Sequence, residues 1–242
     1  MDDIISARNV SRDFGSIRAL KGLDLAVRRG EFLAIFGPNG AGKTTLIKIL
    51  STLSRPSGGS VMIDGLDATT DAVQIRHMIG VLSHDSYLYN DLTAEENLRF
   101  FGKMYGLADD VLEQRIDELL GKVELLHRAG DRVGTLSRGM KQRLSIARAL
   151  IHNPSILLLD EPYTGLDQHA AQTFEKVLLE LDPSKTTRVM ISHNIERSLR
   201  SCDRVVIMVS GEIVYDRPRS DIGSAEELKE TYIALVDGGH DT

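Results

Sequence analysis

The chain has 242 residues, 42% of them hydrophobic and 26% charged, a balance that builds a packed core and excludes a chain that stays disordered. Lys plus Arg number 29 against 35 Asp plus Glu, a net charge of −6, which supplies no bulk attraction to nucleic acid or anionic lipid. The longest apolar runs, Ile156 to Leu159 and Val205 to Val209, fall far short of the ~20 residues that cross a bilayer; the opening MDDIISARNV carries acids where a secretory leader carries basic residues, so a cytoplasmic protein is expected.

From Ile4 to Val27, period-two apolar patterning interrupted by Gly15 and Gly22 predicts short antiparallel strands. Glu31 to Phe36 reads as a buried strand running into a glycine-rich turn, and Thr44 to Leu53 as a helix with Leu46, Ile47, Ile49 and Leu50 on its apolar side. Ser60 to Ile63 and Ile79 to Leu82 predict further strands. Between about Thr93 and Leu150 the β-branched runs give way to helical spacing, as in Leu112, Ile116, Leu119 and Leu120. This predicts a helical subdomain, about residues 85–153, inserted in an α/β core.

Strand patterns resume at Ile156 to Leu159, Arg188 to Ile191 and Val205 to Val209, separated by helical segments from Gln168 to Leu181 and Asn194 to Ser201. Such alternation implies a mostly parallel sheet with both faces covered. Ala225 to Val236 reads as an amphipathic helix, and the expected organisation is one domain over residues 1–236 with a polar tail at 237–242. The single cysteine, Cys202, reads as a packing residue.

Gly37-Pro38-Asn39-Gly40-Ala41-Gly42-Lys43-Thr44 fits the phosphate-loop pattern G-x-x-x-x-G-K-[ST], lying between a predicted strand and a predicted helix as that motif requires. Glycines let successive N–H groups converge on phosphate oxygens, and the helix beginning near Lys43 adds its positive end. Lys43 is expected to reach the β- and γ-phosphates, and Thr44 to offer its hydroxyl to Mg²⁺. Ile156-Leu157-Leu158-Leu159-Asp160-Glu161 is an apolar strand ending in two acids. Asp160 is the expected Mg²⁺ partner, and Glu161 can polarise the water that attacks the γ-phosphate.

Leu136-Ser137-Arg138-Gly139-Met140, just before Asp160, together with these two motifs resembles the signature of the ATP-binding cassette (ABC) ATPases, which usually reads LSGGQ. Ser137 and Gly139 match; Arg138 and Met140 depart. Thr164-Gly165-Leu166-Asp167 resembles the family's D-loop, Ile191-Ser192-His193 its switch histidine, and Phe14 stands where the family stacks an aromatic on adenine. The family's glutamine after the strand at Ile79 to Leu82 is here replaced by His84, which either takes over that glutamine's contact to Mg²⁺ or the attacking water, or leaves it missing.

The resemblance covers roughly residues 4–216 and implies a P-loop NTPase core of α/β class, with a parallel sheet, an antiparallel β subdomain and the inserted helical subdomain. It also implies a head-to-tail homodimer that binds ATP and Mg²⁺ between Gly37 to Thr45 of one copy, thus including Thr45, and Ser137 to Met140 of the other. Asp167 would face the same interface. Separate transmembrane permease subunits would hold the protein on the inner face of the membrane, docked near Tyr87, Leu88 and Tyr89, with no role for nucleic acid. Within the family, Ser83-His84, Leu92-Thr93-Ala94-Glu95-Glu96-Asn97-Leu98, Ser137-Arg138-Gly139-Met140 and Glu161-Pro162-Tyr163-Thr164-Gly165-Leu166-Asp167-Gln168 look like the cytochrome c maturation ATPases, which implies heme export. The alternatives are another bacterial exporter of drugs, lipids or polysaccharides, or a soluble ABC ATPase of repair or translation.

Overall fold

The computed structural model describes residues 3–83 and 86–237. In chain order the elements begin with β1 (Asp3–Phe14), β2 (Ile17–Arg28), β3 (Phe32–Phe36), α1 (Lys43–Leu50), β4 (Gly58–Ile63) and β5 (Leu66–Asp67). Next come α2 (Ala72–Met78), β6 (Ile79–Leu82), α3 (Ala94–Met104), α4 (Asp109–Lys122) and α5 (Arg138–Leu150). β7 (Ile156–Asp160), α6 (Gln168–Glu180), β8 (Thr187–Ile191), α7 (Ile195–Leu199), β9 (Arg204–Val209), β10 (Glu212–Pro218) and α8 (Ala225–Asp237) complete the chain. The expected segments match, whereas α2, β5 and β10 go beyond the sequence reading. Their patterns are short or, in β10, only partly buried.

β1 and β2 pair antiparallel across the turn at Gly15, with Phe14 opposite Ile17. Gly22 does not interrupt the strand as its composition suggested. It lies inside β2 where the register slips between the Val10 and Ser11 pairings, a bulge that keeps both flanks in one strand. These strands form a four-stranded sheet of order β2-β1-β4-β5.

The second sheet has six strands in the order β10-β9-β3-β8-β7-β6, parallel from β9 to β6, with β10 antiparallel at its edge. Its parallel strands are buried on both faces, so their alternate residues belong to two different cores. Phe32, Ala34 and Phe36 of β3, with Leu157 and Leu159 of β7, pack against the helical side that includes Leu98, Leu112, Leu144 and Phe174. Leu33, Ile35, Ile156 and Leu158 instead face α1 and the antiparallel sheet, meeting Leu46, Ile49, Leu25 and Val61. The period of two along each strand is what divides one sheet between two cores. Cys202 is buried in the first of them, and burial pushes its thiol up to about 12, as a packing residue requires.

Leu158 is fully buried beside α1. Leu158→Ala should therefore cost about 2–5 kcal/mol of stability, read in urea as a lower midpoint with an unchanged slope. A midpoint at the parent value would show that this core does not carry the fold.

Candidate functional site

The turn after β3 is shaped by crowding. Gly37 has φ 153°, and a Cβ on it would sit 2.2 Å from the Met208 carbonyl oxygen. Gly42, at φ 94°, would place one 2.5 Å from the Ala19 oxygen and 2.8 Å from Leu20 Cδ2. The loop is thus wedged between β2 and β9, and at both positions only glycine combines the dihedral with the close approach. α1 follows with no side-chain cap and no acid in its first turn, leaving its leading N–H groups and positive end for an anion.

Lys43 is buried and donates from Nζ to the carbonyls of Gly37 at 2.7 Å and Pro38 at 2.9 Å. The ammonium is therefore folded back over the start of its own loop. Burial pulls its pKa below 10.5, and Glu161 and Asp160 oppose that shift. Thr44 is exposed at the head of α1 and Thr45 half-buried.

β7 delivers the acids. Asp160 is its last residue and only 7% exposed. Glu161 turns out of the strand at φ 52°, its N–H donating to the Ile191 carbonyl at 3.0 Å. A left-handed dihedral on a non-glycine residue costs on the order of 1–3 kcal/mol, and here it re-aims the side chain at the end of β8. His193 Nε2 lies 3.1 Å from Glu161 Oε1, close enough to pair electrostatically but off the line of a hydrogen bond, so that buried oxygen has no hydrogen-bond donor. Burial raises the Glu161 pKa, while His193 and then Lys43 pull it back down.

His193 reaches this position because β8 ends beside β3. Ser192 N–H donates to the Ile35 carbonyl at 3.2 Å, and Asn194 caps α7 immediately afterwards. The structure thus brings Lys43, Asp160, Glu161 and His193 together. Two oxygens of the kind Mg²⁺ prefers, the Thr44 hydroxyl and the Asp160 carboxylate, stand at the head of α1 and the end of β7. A hard ion that keeps most of its coordination for water and phosphate fits two protein oxygens.

The predicted signature residues lie elsewhere in the chain. Ser137 caps α5, accepting from Met140 N–H at 3.2 Å, with Gly139 in the same first turn. That helix start is held to the segment after Glu161: Gln142 Nε2 donates to the Pro162 carbonyl at 3.2 Å, and Arg138 lies against Gly165. Asp167 uses Oδ1 to cap α6 through Ala170 N–H at 2.8 Å. Phe14 stands half-exposed at the end of β1 with the Arg12 guanidinium 4.6 Å from its ring centre. His84 lies outside the described residues.

Tyr87, Leu88 and Tyr89, expected from the sequence at a permease contact, line an apolar groove of about 590 Å³ beside α3 and β6, together with Phe101, Tyr105 and Arg148, which the sequence reading did not single out. Tyr87 and Tyr89 are half-exposed, and Tyr89 packs edge-on to Phe100 at 4.9 Å. The groove draws on five separate stretches of chain, so no local motif announces it as a whole.

The segment Leu92 to Leu98 has a structural explanation. Thr93 and Glu96 form a reciprocal capping box, and fully buried Asn97 exchanges hydrogen bonds with the backbone of Tyr89, 2.8 Å and 3.0 Å, while also donating to the Thr93 carbonyl. These residues start α3 and fasten the preceding loop, work that any cargo leaves unchanged.

The profile of the family described as ABC transporter matches residues 20–164. The chain is 38% identical over 89% of its length to the ABC transporter ATP-binding protein NatA of Bacillus subtilis, covering 85% of that protein. It is 34% identical over 91% to the linearmycin resistance ATP-binding protein LnrL of the same organism, covering 71%. To the Nod factor export ATP-binding protein I of Cupriavidus pinatubonensis it is 37% identical over 90%, covering 67%. Among solved structures, a dimeric ATP-binding cassette in a post-hydrolysis state with ADP and Pi superposes with a TM-score of 0.82 at 29% identity, over 91% of this chain and 100% of that one.

None of these relatives is a cytochrome c maturation ATPase, and the heme-export expectation gives way to a relationship with resistance and export ATPases. The physical reason is visible above: the stretch Leu92 to Leu98 caps and fastens a helix, and Ser137 to Met140 opens α5, so neither reports what is carried.

Gly42→Ala should weaken ATP binding at least tenfold and lower stability by more than about 1 kcal/mol, because the new Cβ meets Ala19 and the dihedral is strained. Nucleotide titration and thermal melting check this; parent affinity would mean the loop is not wedged as described.

Proposed function

The chain belongs to the ABC transporter family, and on that premise we propose that this ATPase powers a separate membrane permease as an exporter subunit, working as a head-to-tail homodimer with Mg²⁺ and ATP at two shared sites. The observation that carries the reading is Glu161: a half-buried carboxylate whose buried Oε1 has no hydrogen-bond donor, turned by a strained dihedral to within 3.1 Å of His193 and within electrostatic reach of Lys43.

ATP would lie with its phosphates against Gly37, Pro38, Asn39, Gly40, Ala41, Gly42, Lys43, Thr44 and Thr45, and its adenine on Phe14. Lys43 leaves its two loop carbonyls to meet the β- and γ-phosphates, exchanging neutral acceptors for charged ones. Thr44 and Asp160 would hold Mg²⁺, which when bound would neutralise part of the phosphate charge. Glu161 Oε1 accepts a proton from water as the water oxygen bonds to the γ-phosphorus; the bond to the ADP oxygen breaks, and phosphate leaves. His193 orients the carboxylate, and in the sequence His84 stands where the family usually has its glutamine.

Ser137 and Gly139 open α5 beside the 162–165 segment and make no hydrogen bond to the phosphate loop of the same chain. The proposed dimer supplies the missing arrangement: the partner copy presents Ser137, Gly139 and Asp167 to the γ-phosphate side of each ATP. No helix among the described residues is long and apolar enough to cross a membrane, and the permease in this reading is a separate chain. We assign its docking to the groove at Tyr87, Leu88 and Tyr89, which puts the protein on the cytoplasmic face of the membrane. The cargo class we favour is a small bioactive compound, in line with the resistance and export names among the relatives.

Glu161→Gln should retain ATP binding, lose at least a hundredfold in turnover, and accumulate an ATP-dependent dimer on sizing chromatography. In the parent, the base must be ionised, so turnover falls as pH drops through a Glu161 pKa that burial holds above 4.5. In His193→Ala that acid limb should move to higher pH, because the histidine's charge is among the causes that lower it. Full turnover in Glu161→Gln would remove Glu161 from the base role.

His84→Gln should hydrolyse ATP at a rate within about threefold of the parent if imidazole and amide make the same contact. Steady-state phosphate release decides, and complete loss would show a role that an amide does not serve.

A further inference from the structure

α5 joins two places that the mechanism keeps apart. Its first residues follow Ser137, and its last turn carries Arg148. Thirteen residues at 1.5 Å each put the two ends about 20 Å apart. At the far end Arg148 donates from a terminal guanidinium nitrogen to the Val81 carbonyl at 2.6 Å, on β6, the edge strand of the six-stranded sheet. Its guanidinium also lies 5.5 Å from the Tyr87 ring centre and 5.3 Å from that of Phe101 on α3. One planar cation thus touches the sheet, the helical layer and the groove loop.

The surroundings leave it little room. β6 and α5 approach so closely at Gly80 that a Cβ there would lie 2.3 Å from the Ala149 carbonyl oxygen. His152, just beyond α5, holds the Ile79 carbonyl at 3.1 Å and stacks on Tyr105 at 3.8 Å. Among the described residues no carboxylate pairs with Arg148, and its Nε is buried without a hydrogen bond. A partly buried cation, its Nε fully covered and its guanidinium held by one carbonyl and two ring faces, is weakly compensated at a point where a hydrophobic residue would pack. It also contributes nothing to the phosphate chemistry, since it lies at the opposite end of α5 from the signature.

We infer that Arg148 is a positioning residue: by clamping the last turn of α5 to β6, Phe101 and Tyr87, it sets the angle at which the other end of α5 presents Ser137 and Gly139 to a second copy. This rests on the proposed ATP sandwich. A lysine cannot replace the clamp, because a single ammonium cannot bond Val81 and lie flat over two rings together.

The test uses the full chain carrying Glu161→Gln, in which ATP-bound dimer accumulates. Added to that background, Arg148→Lys is expected to leave the affinity for a fluorescent ATP analogue within twofold, measured at monomer concentrations, while raising the dimer dissociation constant at least tenfold by analytical ultracentrifugation. A general loss of structure would damage both readouts; a mis-set signature damages only the second. If Arg148→Lys melts without cooperativity, Tyr87→Leu at the half-exposed ring decides, with an expected rise of at least threefold in the dimer constant and unchanged ATP affinity. Parent-like dimerisation in Arg148→Lys, or in Tyr87→Leu when that variant decides, would overturn the role assigned to Arg148. Failure of the Glu161→Gln background itself to dimerise with ATP would overturn the sandwich.

Discussion

The site depends on three parallel strands that end level with one another. Ile35 of β3 and Asp160 of β7 both pair with Ile191 of β8, so the loop after β3, the acids after β7 and the histidine after β8 leave the sheet at one edge. Parallel pairing makes this obligatory. Each strand must be re-entered from the far end through a crossover, which puts all three exits on the same side. An antiparallel neighbour would have sent one of them to the opposite edge.

The same arrangement explains the local electrostatics. Strands buried on both faces leave polar residues nowhere to sit except at their ends, and there Lys43, Asp160 and Glu161 crowd into a partly desolvated space. Burial lowers the pKa of the lysine and raises that of the glutamate, and each partly restores the charged form of the other. The left-handed turn at Glu161 adds strain that only the surrounding sheet holds in place. Stored in one residue, that strain separates two adjacent carboxylates into different roles: Asp160 stays in line with the strand, and Glu161 faces His193.

Opposite this rigid edge lies the helical layer, and α5 is its link to the rest. One end rests near the 162–165 segment through Gln142 and Arg138, the other on β6 through Arg148 and the Gly80 contact. The loop before α3 is fastened by Asn97 and the Thr93 capping box. These residues occur in local patterns that resemble a particular transport subfamily, yet their work is to cap and pin helices. Cargo identity belongs to surfaces that such motifs do not describe.

By itself the sequence determined the class of fold and most of the element order, and it marked the phosphate-loop pattern and the two acids. Those features are written in short-range patterns: alternation along strands, glycines flanking Lys43, and an apolar run stopped by carboxylates. Gly22 misled because a bulge and a strand end look alike in composition, and β10 escaped because its half-exposed residues carry little periodicity. Only the tertiary structure decided that His193 meets Glu161, that Gly42 abuts Ala19, and that Arg148 joins a sheet edge to a groove. Each of these contacts joins residues more than 20 positions apart, and their proximity follows from strand register and helix packing rather than from any neighbouring residue.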